Sequence, residues 1–146
     1  MTKKLTAIIL SLLIMLSCSA AYADASLDAQ ADKAQVSAGD TVTVTITLNG
    51  DKLAAAEGSF AYDTSLLSFE EAEGGAGDGY ISMVSLSKGG ESSLSARIAF
   101  KALAEGNAEV AFSITKILNY SGKELGAAEQ KASVTILPGP EPTPTP

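Results

Sequence analysis

The chain has 146 residues, with 17 acidic and 10 basic side chains, no histidine and one cysteine. The acidic balance argues against nucleic acid and anionic membranes as partners, because phosphate binding needs clustered Lys and Arg. The lack of histidine removes His-dependent acid–base and triad chemistry, and together with the single cysteine it removes nearly all zinc sites. The composition therefore makes an enzyme the least expected class of protein.

Residues 1–23 have the features of a secretory signal peptide. Lys3 and Lys4 form a basic start, residues 5–16 are apolar, and Ala21-Tyr22-Ala23 gives the small-x-small pattern of a cleavage site. The apolar run is too short to make a good membrane-spanning helix. We predict cleavage after Ala23, secretion or display at the cell surface, and no membrane span in the mature chain.

Lipidation at Cys18 is the alternative fate of this leader. The residues before the cysteine, Met15-Leu16-Ser17, lack the usual Leu or Val three positions ahead of it. Cleavage after Ala23 would leave no cysteine in the mature chain. An exported domain of this size would then depend on its hydrophobic core instead of on disulfides.

Thr41–Leu48 is the most clearly patterned stretch of the mature chain. Four threonines alternate with four apolar residues, and side chains in a strand point alternately to opposite faces, so the pattern predicts a half-buried strand. The apolar row consists of Val42, Val44, Ile46 and Leu48. Residues 49–51, Asn-Gly-Asp, are a strong turn signal, and residues 52–57 are ambiguous between loop and strand.

Short strands separated by turns continue to residue 137. Phe60 and Tyr62 share one face of a strand that leads into a tight turn capped by Asp63. Residues 74–79 contain four glycines in six positions and predict a flexible loop. Residues 94–101 alternate again. Eight or nine such strands, without a convincing amphipathic helix, predict an all-β sandwich.

Residues 138–146 differ in character from the rest of the chain. They read Pro-Gly-Pro-Glu-Pro-Thr-Pro-Thr-Pro, and alternating prolines cannot join a hydrogen-bonded ladder. We therefore predict a Pro/Thr-rich linker at 138–146 and a folded domain at 24–137.

Local motifs of catalysis are weak. Glu70, Glu71 and Glu73 lie together before the glycine-rich loop, but carboxylate catalysis needs opposed carboxylates across a cleft, and a solvated strand end explains them better. The loop lacks the Gly-Lys-Ser/Thr ending of a phosphate-binding loop, and no stretch has the acidic ladder of an EF-hand. We predict no catalytic residue, no metal site and no cofactor.

Three stretches, taken in order, resemble the motifs of a cohesin domain. Residues 39–44 read Gly-Asp-Thr-Val-Thr-Val, which is similar to the family's Gly-Asp-x-Val-x-Val. Residues 58–67 resemble its aromatic-x-Tyr-Asp-Pro-x-x-Leu turn, except that Thr64 stands where the family usually has Pro. Residues 96–102 resemble its later apolar-x-Phe-x-Ala strand. The match extends over residues 27–137.

The resemblance implies both a fold and a function. A cohesin is a two-sheet jelly-roll β-sandwich of about nine strands, related to cellulose-binding modules. It docks a dockerin-bearing protein without catalysis, as in cellulosome scaffolds, and the calcium of such complexes is carried by the dockerin. The docking face would be made largely by residues 55–62, 80–87 and 94–102, on the sheet opposite Thr41–Leu48.

The resemblance also implies partner-binding residues. Glu57 matches an acidic contact position, while Val84 and Ser87 match an apolar and a polar contact on the adjoining strand. For Val84, ordinary core packing is an equally open interpretation. Ala55 stands where some cohesins have a contacting Asn, so that hydrogen bond would be missing here.

Two other functions stay open at this point. Related sandwiches bind polysaccharide, but sugar binding normally uses exposed aromatic rings, and only Tyr80 and Tyr120 are candidates for these. The chain could also be a structural module of a surface adhesin, for which the Pro/Thr-rich linker is equally good evidence.

Overall fold

The computed structural model describes residues 25–140. The predicted signal peptide, its cleavage site, Cys18 and residues 141–146 of the predicted linker lie outside this range. The described residues form ten β-strands and no helix, in agreement with the predicted all-β class. The strands are β1 Ala25–Ala31, β2 Gln35–Ser37, β3 Thr41–Tyr62, β4 Leu67–Glu73, β5 Ala76–Gly77, β6 Tyr80–Val84, β7 Glu91–Ala102, β8 Gly106–Asn119, β9 Glu124–Leu125 and β10 Ala128–Leu137.

The long strand β3 connects the two layers of a sandwich. Its first part, Thr41–Asn49, pairs with β1 and β7, and its second part, Leu53–Tyr62, pairs with β8, with β6 beside residues 55–59. The β7 register shifts between Asn49 and Leu53, and Lys52 has a φ of 50°. The prediction that the chain reverses at residues 49–51 is therefore wrong. These residues bend β3 from one sheet into the other while the strand continues.

Each layer has its own strand order. The first sheet contains β1, the first part of β3, β7 and β4. The second sheet runs β2-β10-β8-β3-β6-β5, with β9 paired to the end of β8. All of these pairings are antiparallel except the parallel pair of β2 and β10. The result is the two-sheet sandwich that the sequence predicted.

The core lies between the two sheets and follows the period of two in the strands. Val42, Val44, Ile46 and Leu48 are all at most 2% exposed, which confirms the apolar row of β3. Aromatic rings fill the centre: Phe100 of the first sheet lies 6.0 Å from Phe60 of the second, centroid to centroid. Burial of these apolar residues on facing sheets is what holds the layers together.

The predicted turn after β3 is confirmed in detail. Asp63 Oδ1 accepts hydrogen bonds from the Ser65 backbone N–H at 2.9 Å and from Ser65 Oγ at 2.6 Å. These hydrogen bonds lower the pKa of Asp63, because they favour the charged carboxylate. The turn brings Leu67 into the core at 1% exposure.

The glycine-rich segment at residues 74–79 is more regular than the predicted flexible loop. It contains β5, which pairs with β6 through Ala76 opposite Ile81 and Gly77 opposite Tyr80. The Ser82 backbone N–H donates to the Gly75 carbonyl at 2.6 Å. A Cβ on Gly75 would overlap the Ser82 carbonyl oxygen, so the close approach of the two strands requires glycine there. Among residues 25–140, no helix has the length and apolar character to cross a bilayer.

Candidate functional site

The outward side of β8, β3 and β6 carries a surface of mixed chemistry, which we call the outer face. The register across these three strands places side chains in rows. The alternate residues of the same strands point into the core, as Ala56, Met83 and Ile117 show at 1% exposure or less. The rows are Leu118-Ala55-Val84, Lys116-Glu57-Ser82 and Ser113-Ser59-Tyr80. The outer face thus has an apolar end, a charged middle and an aromatic end.

Two of the three predicted site residues lie together on the outer face. Glu57 is exposed and lies opposite Ser82 on one side and Lys116 on the other. Val84 lies opposite Ala55, two residues from Glu57 along β3, and its side chain is 63% exposed. Core packing is therefore the wrong interpretation of Val84. Glu57 and Val84 are diagonal neighbours, a spacing of about 7–8 Å in an antiparallel pair.

Ser87, the third predicted residue, lies beyond the end of β6. The strand expected at residues 80–87 stops at Val84, and Ser87 belongs to the loop between β6 and β7. Its backbone N–H donates to Ser85 Oγ at 3.2 Å, and its own hydroxyl donates to Glu91 Oε1 at 3.5 Å. Ser87 is exposed, and its two partners belong to the same loop and to the first residue of β7.

The strand composition expected for this face needs one correction. Residues 94–102 belong to β7, which pairs with the first part of β3 and with β4 in the other sheet. Their expected place beside residues 55–62 is taken by β8. The change follows from the crossing of β3, because each part of that strand has different neighbours. Thr41–Leu48 lies in the sheet opposite the outer face, as the resemblance implied.

The sequence reasoning missed several residues of this surface. Leu86 is 96% exposed just after β6, and Lys116 and Leu118 come from β8, which had no assigned role. A signal for Leu86 was present: Ile81 and Met83 are core residues by period, so Val84 and Leu86 must point the other way. The adjacent apolar pair Met83-Val84 obscured that period. Lys116 and Leu118 could be assigned to this surface only once β8 was known to pair with β3.

A cleft of about 480 Å³ opens beside the apolar end of the outer face. It lies between β6 and the start of β7, and Val84 and Leu86 border it together with Glu91. The exposed apolar surface therefore continues from the sheet face around its edge. Within residues 25–140, no three acidic, His or Cys side chains lie close enough together to hold a metal ion.

The two exposed tyrosine rings lie at opposite ends of the second sheet. Tyr80 is 58% exposed and lies opposite Ser59, whereas Tyr120, 47% exposed, follows Asn119, which lies opposite Leu53. Six residues of β3 separate the two positions, or about 20 Å. The pair therefore does not form one compact stacking platform.

Similar chains were found among solved structures alone: no family model and no curated protein matches this sequence. The seventh type I cohesin of ScaB from Pseudobacteroides cellulosolvens is 19% identical, with a TM-score of 0.60 over 82% of this chain and 96% of that one. The sixth cohesin of scaffoldin B from Acetivibrio cellulolyticus, solved in complex with a mutant Cel5 dockerin, is 17% identical, with a TM-score of 0.60 over 77% and 99%.

A cohesin from a different kind of protein shows the same likeness. It is the cohesin module of a family 33 glycoside hydrolase from Clostridium perfringens, 13% identical, with a TM-score of 0.63 over 78% of this chain and 97% of that one. At these identities the likeness concerns the course of the backbone. The chain has the fold of a cohesin module, as the sequence resemblance implied.

Proposed function

We propose that the chain is a non-catalytic docking module that binds a dockerin-bearing protein through its outer face. The observation that carries the proposal is the exposure of Val84 next to the charged row that contains Glu57. A large apolar side chain on a sheet face, with charged residues beside it, has the anatomy of a protein interface with an apolar centre and a polar rim.

The fold supports the choice of partner. The Acetivibrio cellulolyticus cohesin with a similar fold was solved together with a dockerin. In the proposed complex the partner supplies the calcium, and Glu57 and Val84 contact the partner directly. Ser87 contributes from the edge, through the exposed loop that also carries Leu86.

The proposal includes the setting in which the module works. Residues 1–23 would direct export and be removed after Ala23, so that the module acts outside the cell or on its surface. The Pro/Thr-rich residues 138–146 would hold the domain away from whatever it is attached to, because alternating prolines favour an extended chain. N-terminal sequencing of the exported protein tests the cleavage site.

Calcium-dependent retention tests the docking function. The purified chain is immobilised and incubated with the secreted proteins of its source, first in calcium and then in chelator. The proposal predicts that a dockerin-bearing protein is retained in calcium and released by chelator. Depletion of the chain by insoluble cellulose, without retention of a dockerin, would support polysaccharide binding instead. If no dockerin-bearing protein is retained and cellulose does not deplete the chain, the result would support a purely structural role.

A charge reversal at Glu57 tests the outer face, and the same change at Glu105 is the matched control. Glu57→Lys should weaken retention and leave the melting temperature nearly unchanged, because Glu57 is exposed. Glu105→Lys makes the same change in the turn before β8, about 35 Å along the strand from Lys116, and should retain the partner normally. A loss of stability of about 2–5 kcal/mol in Glu57→Lys, as for a core truncation, would show that Glu57 is structural.

A further inference from the structure

The cleft between β6 and the start of β7 lies where the sandwich is open at one side. On the other side β1 lies beside β10, and the Gln130 side-chain amide donates to the Leu27 carbonyl at 3.5 Å. At the cleft, β4 pairs with β7 only along residues 97–102, and β5 pairs with β6 only at residues 80–81. Each of the two strands beside the cleft therefore has a stretch that is paired to β3 alone.

The backbone of β7 presents unpaired hydrogen-bonding groups to the cleft. The Ala102 N–H donates to the Asp40 carbonyl, and the Ala102 carbonyl accepts from the Gly39 N–H, both at 2.8 Å, so the backbone of Ala102 faces β3. The register of β7 with β3 is unbroken as far as Ser93. Because backbone groups along a strand alternate in direction, the N–H and carbonyl of Ser93 and Ser95 face away from β3. No strand of the described chain pairs with them there.

This free edge has a defined length. It runs from Glu91 to Ser95, which is about 14 Å of extended chain. Gly74 closes it at the Ser95 end, because a Cβ on Gly74 would lie 2.6 Å from the Ser95 carbonyl oxygen. A segment of about five residues could therefore pair with β7 and continue the line of β4 in the first sheet.

The side chains around the edge fit a segment of alternating character. Leu94 is 5% exposed and points between the sheets, while Ser93 and Ser95 are exposed on the outward side of the first sheet. Leu86 and Val84 border the cleft from the side of β6, and both are largely exposed. A strand paired to β7 would turn every second side chain toward these apolar residues and the others toward water.

Charge separates the candidate occupants of the edge. Glu91 is the one charged side chain among the described residues that line the cleft, so a basic segment is complementary to it. A second copy of this chain would bring another Glu91 and the same excess of acidic residues. Residues 138–146 have Pro at every second position and cannot pair as a strand. They also follow Leu137, which pairs with Ser37 at the opposite end of the domain.

We propose that the free edge of β7 binds an extended segment of a partner protein by strand addition. The segment has apolar and polar residues in alternation, with a basic residue that meets Glu91. Hydrogen bonds to the Ser93 backbone provide the pairing, and burial of apolar side chains against Leu94 and Leu86 provides further binding free energy. The interaction needs neither a helix nor a dockerin, so it is independent of the proposed docking function.

A synthetic peptide tests this site on the full chain. The probe is fluorescein-labelled Lys-Thr-Val-Thr-Val-Thr-Lys with blocked ends, and fluorescence anisotropy gives the dissociation constant. It should bind with a dissociation constant of about 1 mM or tighter. The same peptide with Glu in place of both Lys residues should bind severalfold more weakly, because it meets the charge of Glu91 with a like charge.

Methylation of the peptide nitrogens tests the backbone pairing. In a paired strand, alternate N–H groups face the neighbouring strand. One peptide therefore has N-methyl groups on its three threonines, and another has them on its two valines. One set should abolish binding, and the other should leave the affinity within about threefold of the parent peptide.

Proline substitutions test the edge from the side of the protein. Ser93→Pro removes the N–H that faces the cleft and keeps the hydrogen bonds to β3, and it should weaken peptide binding about tenfold or more. Ala29→Pro is the matched control on the edge of β1. The Asp32 N–H donates to Thr43 in β3, so the Ala29 N–H, three residues away, faces away from β3. Leu86→Asp should also weaken binding, and it serves if Ser93→Pro fails to fold.

Several results would overturn the strand-addition site. These are no binding of the Lys-bearing peptide at 1 mM, equal effects of the two methylated sets, or unchanged affinity in Leu86→Asp together with a folded Ser93→Pro. A dimer of the unaltered chain in sedimentation equilibrium that Ser93→Pro dissociates would assign the edge to a second copy and would also overturn the proposal. None of these measurements contains a dockerin, so the docking function is decided separately by the retention assay.

Discussion

Val84 lies directly opposite Ala55 across the β3–β6 ladder, and its side chain is 63% exposed. Val84 is the last residue of β6 and lies beyond β5, which pairs only with residues 80 and 81, so Val84 leaves bare apolar surface at the edge of the outer face. Removing this surface from water is favourable, so a partner that covers it gains binding free energy.

A charge at Val84 should therefore affect docking and not folding. Val84→Asp should weaken dockerin binding about tenfold or more, while the melting temperature stays close to that of the unaltered chain. Leu103→Asp is the matched control, because Leu103 is 45% exposed just after β7, outside the outer face. Equal binding by the two variants in calorimetry would place the interface elsewhere.

Phe100 should dominate the stability of the core. It is fully buried, and its ring centroid lies 4.9 Å from Tyr62 and 6.5 Å from Phe69. Phe100→Ala should lower the free energy of unfolding by about 3–5 kcal/mol in urea titrations, because it leaves a cavity between the sheets. Tyr120→Ala removes an exposed ring and should cost far less. Comparable losses in the two variants would contradict the assignment of the core.

Gly58 should tolerate no side chain; it lies within β3, where the pairing with β8 shifts register between Glu57 and Gly58. A Cβ at this position would overlap the carbonyl oxygen of Ser113 and lie 2.9 Å from the Cα of Ile114. Gly58→Ala should destabilise the fold by about 1–3 kcal/mol. Gly126→Ala is the control, since nothing lies within 4 Å of its Cβ position. Both changes remove the same backbone freedom from the unfolded chain, so equal free energies of unfolding would refute the contact.

Tyr62 should make stability fall at alkaline pH. Burial, the hydrogen bond of 2.9 Å that its hydroxyl donates to Asp78 and the charge of that carboxylate raise the pKa of Tyr62 above its usual 10.0. The folded state then holds the proton more tightly than the unfolded state does. The resulting stability is complete below pH 10 and is lost as the pH rises through the folded pKa.

The comparison variant for this effect is Tyr62→Phe. Urea unfolding at a series of pH values above neutrality should give a smaller alkaline loss of stability for Tyr62→Phe than for the unaltered chain. The hydrogen bond to Asp78 is absent at every pH in this variant. Parallel curves for the two proteins would contradict the prediction.

Strict alternation made parts of the fold predictable from sequence. In Thr41–Leu48 a single period fixes both the strand and its buried row, and the structure confirms both. The turn at Asp63 was predictable for a similar reason, because its hydrogen bonds join residues two positions apart. Signals of this kind depend only on neighbours along the chain.

Pairing between distant strands was not predictable in the same way. A period of two says which side chains share a face, but not which strand lies alongside, so residues 94–102 were placed in the wrong sheet. Asn49–Asp51 has the residues of a tight turn, yet β3 continues through them and changes sheets, with Lys52 at a φ of 50°. The resemblance gave Glu57 a place on this face but gave none to Lys116 and Leu118, because their position depends on β8 lying beside β3.

Mapping the bound surface by nuclear magnetic resonance tests the central claim most directly. When a calcium-loaded dockerin is added to the chain, the largest chemical-shift changes should fall on the outer face, at Ala55, Glu57, Val84 and Lys116. The threonine side of the other sheet, with Thr43 and Thr45, should change little. Changes centred on Thr43 and Thr45, with Glu57 and Val84 unaffected, would contradict the account.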